Sequence, residues 1–476
     1  MPTRQADPAA VPDAAVVAQA TRLRGRLRMP PDKSISHRAL LLAAVAAGTS
    51  RISGASRGAD VEATASCLAA LGVPLVRSAG ADGARSDWTV ESPGWAGWRG
   101  PRGDLDCANS GTTMRLLAGL LAGSALATPV RLTGDASLQR RPMERVVAPL
   151  AAMGAEARAE GEGGRPPLTL AGRRPLRALD WTTAVPSAQV KSSIVLAGLA
   201  GEGRTIVREA VATRDHTERM LRARGVRVAA EQDERTGGWA VALDGGQPVA
   251  SRDEEVPGDI SAAAFWLVAG AAHPDAVLTL EGVGVNPSRA AVIELLTAMG
   301  AAIEVVSSAG AGEPDPSDGA GAQDPSVAAG EPTADLIVRS SPLEGIEIGP
   351  REVARAIDEI PILCLAAACA RGTTRIRGAG ELRHKESDRL TAIVTGLAAL
   401  GARIEVEGDD LTIEGRRDRL GCGLAGAEVA SLGDHRLAMA FAVAGLIAAG
   451  RTVIGGAGSV GVSYPGFFDH LEGVRA

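Results

Sequence analysis

The chain has 476 residues, of which 45% are hydrophobic and 2% aromatic, and a formal net charge of −6. That length supports two or more domains, with cores that Leu, Val, Ile and Ala must fill. The acidic balance and the lack of aromatic platforms argue against a nucleic-acid partner, so any anion must be met by local clusters of Arg and Lys.

Met1–Ala20 lacks a basic region followed by an apolar run, so it reads as a loose Ala/Pro tail and not as a secretory leader. No apolar run approaches the roughly 20 residues that span a bilayer. A cytoplasmic protein without a membrane partner is expected. The first organised stretch is Pro30–Gly48, PPDKSISHRALLLAAVAAG. Its polar head, Lys33 to Arg38, runs into a helix too apolar to face water. Free backbone N–H groups and the positive end of the helix dipole, beside a Lys and an Arg, suit a phosphate or carboxylate.

This design recurs. Apolar helical runs with polar heads fall at Ser36–Gly48, Gly111–Gly123, Ser187–Gly198, Gly258–Gly270, Asp358–Gly372 and Gly433–Gly450. Most are followed by a β-type run, a polar loop and a second helix that ends in Gly before another strand, as in CLAALGVPLV and LAALGARIEV. The spacing is roughly 70–80 residues, which marks an internal repeat. One longer interval holds 307–333, rich in Gly, Pro, Ala and Asp, and reads as a disordered insertion at a loop tip. Six αβ units do not share one core easily, so three per domain is the economical packing, and Asp244–Glu255 separates three from three. A cleft between the halves would set the two groups of cationic heads facing each other.

The heads carry the candidate chemistry. Asn109–Arg115, NSGTTMR, opens a helix at Gly111; an ordinary Asn/Ser/Thr cap is the commoner meaning of such a stretch. Arg140 and Arg141 suit bidentate binding of a carboxylate or phosphate, or form a solvated pair. Ser187, Gln189 and Lys191 stand at another helix start. Thr213 and Arg214 could hold one phosphate, or Thr213 could simply cap the next helix. Asp358 and Glu359 precede an apolar helix. In Leu382–Leu390, Lys385 and Arg389 share a face if the stretch is helical. His435 and Arg436 head a buried helix, where an Arg without an anionic partner is costly. No P-loop is formed at Lys33-Ser34, and Gly282–Pro287 does not complete a dinucleotide fingerprint. The five cysteines form no CxxC pair and no HExxH occurs, so neither a metal nor a cofactor is expected.

Taken together, KSxSHR at 33–38, NSGTTMR at 109–115, RRP at 140–142, PSAQVKS at 186–192, TRDHTE at 213–218, Asp358–Pro361, KESDR at 385–389 and GDHRLAM at 433–439 resemble the 5-enolpyruvylshikimate-3-phosphate synthase family, in its class II form. The resemblance runs from about Leu27 to the C-terminus. It implies an α/β (α+β) fold of two similar domains, each of three βαβαββ units, inverse α/β barrel-like, with the active site in the interdomain cleft. It places the continuous domain at 29–244 and the discontinuous one at 1–28 plus 245–476. The implied reaction moves the enolpyruvyl group of phosphoenolpyruvate to the 5-hydroxyl of shikimate 3-phosphate and releases phosphate, in aromatic amino-acid biosynthesis, with no metal or cofactor. By resemblance, Lys33, Ser34, Arg38, Ser187, Gln189, Thr213, Arg214, Asp358 and Lys385 bind shikimate 3-phosphate. Lys33, Gly111, Arg141, Gln189, Arg389 and Arg436 bind phosphoenolpyruvate. Asp358 is the base, and Glu386 with Lys33 carries protons. A monomer acting on these two small anions is expected.

Some positions depart from the family's pattern. Ala188 stands where a second Ser is found, Val462 where other branches have a Lys, and His216 where some members have Tyr. The competing readings are the sister enzyme that acts on a UDP-N-acetylhexosamine, whose head typically reads Lys-Asn and not Lys33-Ser34, and a non-catalytic anion-binding protein, which would be expected to lose Lys33, Asp358 or Glu386.

Overall fold

The computed structural model describes residues 13–80, 85–307, 330–416 and 422–475. The chain forms two compact units, each with its own hydrophobic core. Of the described residues, the continuous unit holds those within 31–257 and 330–332, and the split unit those within 13–30, 258–307, 333–416 and 422–475. Most of the insertion expected at 307–333 lies outside the described residues. Its ends, Ser307 and Thr333, belong to the paired strands Ala302–Ser307 and Thr333–Arg339.

Each unit is built on three helices that are buried nearly all round. In the continuous unit these are Lys33–Val45, Gly111–Ala122 and Ala188–Gly198. In the split unit they are Ile260–Ala272, Ile360–Ala368 and His435–Ile447. Helices apolar on every side belong inside a core, and Leu and Ala supply that here. Leu40, Leu41 and Leu42 are each at most 1% exposed. Burying each is worth about 1.5–3 kcal/mol, so one charged substitution there would unseat the helix. Gly119 lets two helices meet: a Cβ there would lie 2.2 Å from the Ser193 carbonyl oxygen.

Six sheets accompany the six helices, beside a two-stranded pairing of Leu176–Arg177 with Gly201–Glu202. Five have four strands; in four of these the order is first, second, fourth, third, and in the other the leading edge position is taken by Glu254–Glu255, the last of its strands in the chain. In one, Leu105–Asp106 runs parallel to Val130–Thr133, which pairs antiparallel with Arg165–Ala171, which in turn pairs with Glu156–Gly161. The parallel step is the one bridged by the buried helix, as a parallel crossover requires. Two sheets take their first strand from elsewhere in the chain. Glu254–Glu255 pairs parallel with Ile52–Ser53, and Leu23–Arg28 pairs parallel with the start of Ala276–Gly284. The sequence reading divides the chain at 244/245, but the compact units change over at 257/258. The Glu254–Ile52 pairing and Val256, buried in the continuous unit's core, tie residues 245–257 to that unit.

The sixth sheet has three strands, and it corrects the expectation of a loose tail. Ala14–Ala18 pairs antiparallel with Arg451–Gly455, and Val17 is 1% exposed. A five-residue AAVVA run has too little alternation to announce a strand, and its partner lies at the far end of the chain.

Candidate active site

In the continuous unit, Asp32 caps Lys33–Val45, accepting from the Ile35 amide at 2.9 Å. Lys33 is therefore the first helical residue. Its half-exposed ammonium lies 2.8 Å from Asp60. Arg38 is 4% exposed and committed within the protein. It donates to the Ser34 carbonyl at 3.0 Å, the Ser192 hydroxyl at 3.0 Å and the Thr217 hydroxyl at 2.7 Å. Burial lowers its pKa, against the pull of Glu218. His37 is fully buried, with Nδ1 at 2.7 Å from the Thr64 hydroxyl. Burial, then the Lys33 charge, pushes it down to about 3.

Ser110 caps Gly111–Ala122, accepting from the Thr113 amide at 3.1 Å. A Cβ on Gly111 would stand 2.7 Å from Arg115 Nη1 and 3.0 Å from Arg141 Nη1. The missing side chain is what lets two guanidinium groups close on this helix end. Arg141 donates to Asn109 at 2.6 Å, and Asn109 to Asp135 at 2.7 Å. Arg115 donates to Gln189 Oε1 at 2.5 Å, and Gln189 donates to Thr112 at 2.9 Å. Burial, with Arg145 and Arg141 nearby, brings Arg115 down to about 10. Lys33, Ser34, Gly111, Arg141, Ser187 and Gln189 thus all lie at or beside helix heads of this unit.

Thr213 does not cap a helix. Asp215 is the N-cap of His216–Arg222, and the Thr213 hydroxyl donates to Glu209 at 2.8 Å. Arg214 follows it, partly buried. His216 is buried, its Nδ1 2.8 Å from Glu331 Oε1.

The split unit gathers its candidates more tightly. Asp358 stands two residues before Ile360–Ala368. Three cations converge on its carboxylate: Arg389 at 3.5 Å, Arg436 at 3.8 Å and Lys385 at 4.0 Å. Arg436 also donates to the Asp358 carbonyl at 3.1 Å. Arg389 is 1% exposed and bonds Asp434 at 2.6 Å and Glu386 at 2.5 Å. Asp434 is the N-cap of His435–Ile447, accepting from the Arg436 amide at 2.9 Å. Burial disfavours its charge, but the Arg389 hydrogen bond and charge, with the Arg436 amide, together outweigh burial and hold the carboxyl below the usual range. Burial, then Arg436, brings His435 down to about 4. Lys385 and Arg389 do not share a helical face as expected. A 3-10 turn ends at His384, Asp388 caps the next helix, and Arg389 is its first residue. Both reach Asp358 regardless, because the chain bends at 385–388. Among the described residues, the non-glycine positions with positive φ are Ala108 (49°) and Leu432 (54°). Each lies two residues before a cap, Ser110 and Asp434, so backbone strain collects at corresponding points of two heads.

The family model for EPSP synthase (3-phosphoshikimate 1-carboxyvinyltransferase) matches residues 17–471. The chain belongs to the EPSP synthase family. It is 48% identical over 459 residues to a 3-phosphoshikimate 1-carboxyvinyltransferase of Gloeobacter violaceus, covering 96% of this chain and 98% of that one. A protein of the same name from Acidithiobacillus ferrooxidans is 47% identical over 452 residues, 95% of each chain. The solved EPSP synthase of Acinetobacter baumannii superposes with a TM-score of 0.85 at 38% identity, covering 97% of this chain and 98% of that one.

Three groups of this EPSP synthase family member stand in the motifs read from the sequence but are given no site role there. Arg115, Lys191 and Asp434 are all buried and all bonded to predicted site residues. Their shared signal is a charge set within or at the cap of an otherwise apolar helix. Val462, where a Lys was expected from other branches of the family, is 73% exposed at the end of a 3-10 turn. Among the described residues no group of three or more His, Cys, Asp or Glu is placed to hold a metal ion, and no helix is long and apolar enough to cross a membrane.

Proposed function

We propose that Lys33, Asp358 and Glu386 carry the chemistry of this chain, a 3-phosphoshikimate 1-carboxyvinyltransferase of the shikimate pathway. The reaction moves the enolpyruvyl group of phosphoenolpyruvate to the 5-hydroxyl of shikimate 3-phosphate. Asp358 accepts the proton of that hydroxyl as its oxygen attacks the enol carbon. Glu386, with Lys33, delivers a proton to the methylene carbon. The tetrahedral intermediate then loses phosphate as its methyl group gives a proton back to Glu386, and the proton held by Asp358 leaves with the phosphate. Positioned carboxylates contribute about 10²–10⁴-fold each in such proton transfers.

The observation that carries this reading is the convergence of Lys385, Arg389 and Arg436 on Asp358 at 3.5–4.0 Å. These contacts are looser than the 2.6 Å bond of Arg389 to Asp434. An incoming anion can therefore draw on the three cations while Asp358 accepts a proton. Lys33, Ser34, Arg38, Ser187, Gln189, Thr213, Arg214, Asp358 and Lys385 serve shikimate 3-phosphate. Lys33, Gly111, Arg141, Gln189, Arg389 and Arg436 serve phosphoenolpyruvate. For Arg38, whose donors already meet Ser34, Ser192 and Thr217, this role requires exchanging a protein partner for the substrate. The protein acts as a cytoplasmic monomer on these two small anions, without a nucleic-acid or membrane partner.

The experiment is phosphate release on mixing the protein with phosphoenolpyruvate and either shikimate 3-phosphate or a UDP-N-acetylhexosamine. Release with the first acceptor alone supports the reading. Release with the second alone points to the sister enzyme, and release with neither to a binding protein.

A further inference from the structure

Beneath Thr213 and Arg214 lies a buried charge cluster that the chemistry above does not use. Lys191 is 0% exposed, in the first turn of the helix Ala188–Gly198. Its ammonium donates to the Thr213 carbonyl at 3.1 Å and is ion-paired with Glu218 Oε1 at 2.8 Å and Glu209 Oε2 at 3.1 Å. Both carboxylates are 1% exposed. Burial works against the charge on Lys191, and Glu218 and Glu209 outweigh it, so its pKa lies above the ordinary lysine value. Buried ion clusters are weak devices for stability, because apolar side chains of similar volume avoid the desolvation cost. The cluster needs another account.

That account lies in what it holds. Residues 210–215 belong to neither the strand Arg204–Glu209 nor the helix His216–Arg222. Within this stretch, Thr213 is pinned at three polar groups. Its carbonyl accepts from Lys191, its hydroxyl donates to both Glu209 oxygens at 2.8 Å, and its amide donates to Glu209 at 3.4 Å. The strand contributes Glu209, the helix Ala188–Gly198 contributes Lys191, and the helix His216–Arg222 contributes Glu218. Three elements are thus joined at the residue that precedes Arg214. The neighbouring Ser192 bonds Arg38 and Thr217, so the same helix also orients a second candidate cation.

We propose that Lys191 is a positioning residue for shikimate 3-phosphate: through the Thr213 carbonyl and Glu209 it sets where Thr213 and Arg214 meet that substrate, without touching it. This rests on the reading above that Thr213 and Arg214 serve shikimate 3-phosphate. Lys191→Met keeps the length of the side chain and removes its charge and donors. The separate KM values for the two substrates, measured on the full chain, test it. The expected result is a rise of about tenfold in KM for shikimate 3-phosphate, with KM for phosphoenolpyruvate changed less than about twofold; tenfold corresponds to about 1.4 kcal/mol.

Lys191→Met leaves two buried carboxylates without their cation, and it can fail to fold. Glu209→Gln then decides, since it retains an acceptor for the Thr213 hydroxyl and removes one charge. A rise of about threefold confined to shikimate 3-phosphate supports the proposal. Unchanged KM values with a lowered melting temperature, or equal rises for both substrates, overturn it and leave Lys191 a merely structural group. Native protein that shows no turnover with shikimate 3-phosphate overturns the function reading and this inference together. Native turnover with an indifferent variant overturns this inference alone.

Discussion

At the scale of single residues, Asp358 bears the most weight. Asp358→Ala removes the proposed base while leaving Ser187, Gln189, Thr213 and Arg214 untouched. Turnover should fall by about 10²–10⁴-fold, and calorimetry should still register shikimate 3-phosphate binding. Near-normal turnover would remove Asp358 from that role. His37 makes a separate, pH-dependent prediction. Its pKa is pushed from 6.5 in a free side chain to about 3 by burial. Between those values the unfolded chain binds a proton that the folded chain refuses, so stability is full above pH 6.5 and declines as pH falls. His435, brought down to about 4, acts in the same direction. His37→Asn should flatten the decline by about 1.4 kcal/mol per pH unit. Urea unfolding at pH 7, 6 and 5 checks this, and parallel profiles for variant and native protein would contradict it. Residues of this kind were unevenly legible. Asp358 and Arg436 announced themselves because charge at the mouth of an apolar helix is expensive. The role of Lys191 did not, because its partners Glu209 and Glu218 lie 18 and 27 positions away in the sequence, and no periodicity links a strand end to the first turns of two helices.

At the scale of elements, the helix heads are the repeated device. Asp32, Ser110, Asp259 and Asp434 each cap a core helix with a side-chain oxygen. Where the cap is a carboxylate it also neutralises or orients nearby cations, as Asp434 does for Arg389. Asp434→Gly would open the Arg389 bond and leave that buried guanidinium short of a partner, a loss of about 3–5 kcal/mol when a buried pair is broken. A lowered melting temperature and a raised KM for phosphoenolpyruvate are expected together, and a change in neither would contradict the account. Gly111→Ala tests the second head. Its Cβ would press to 2.7 Å from the Arg115 guanidinium and 3.0 Å from that of Arg141. Arg115 is buried and bonded to Gln189, so Arg141 is the group with room to yield. KM for phosphoenolpyruvate should rise about tenfold, with KM for shikimate 3-phosphate less affected. The heads were legible as helix starts because apolar runs with polar beginnings have few other meanings. Thr213 misled as a cap because Asp215 competes two residues later, and burial of Glu209 settles which group Thr213 serves.

At the scale of the molecule, six helix-and-sheet repeats were readable because Gly after a helix and alternating Val, Ile and Glu recur in step. The strand exchange was not. Ala14–Ala18 and Glu254–Glu255 are short, and each pairs with a strand distant in sequence. A chain beginning at residue 19 would lose the strand that covers Arg451–Gly455 and expose the site of Val17, worth about 1.5–3 kcal/mol for that side chain alone. Its melting temperature should drop by several degrees; an unchanged melt would mean the strand is dispensable. The continuous unit carries Lys33, Gly111, Arg141 and Gln189, and the split unit carries Asp358, Glu386, Arg389 and Arg436. The measurement that bears most directly on this account is stoichiometric phosphate release from phosphoenolpyruvate with shikimate 3-phosphate as acceptor, compared between native protein and Asp358→Ala. The account predicts one phosphate per acceptor consumed in the native protein and a loss of about two orders of magnitude or more in the variant. Release that is indifferent to the acceptor, or undiminished in the variant, would contradict it.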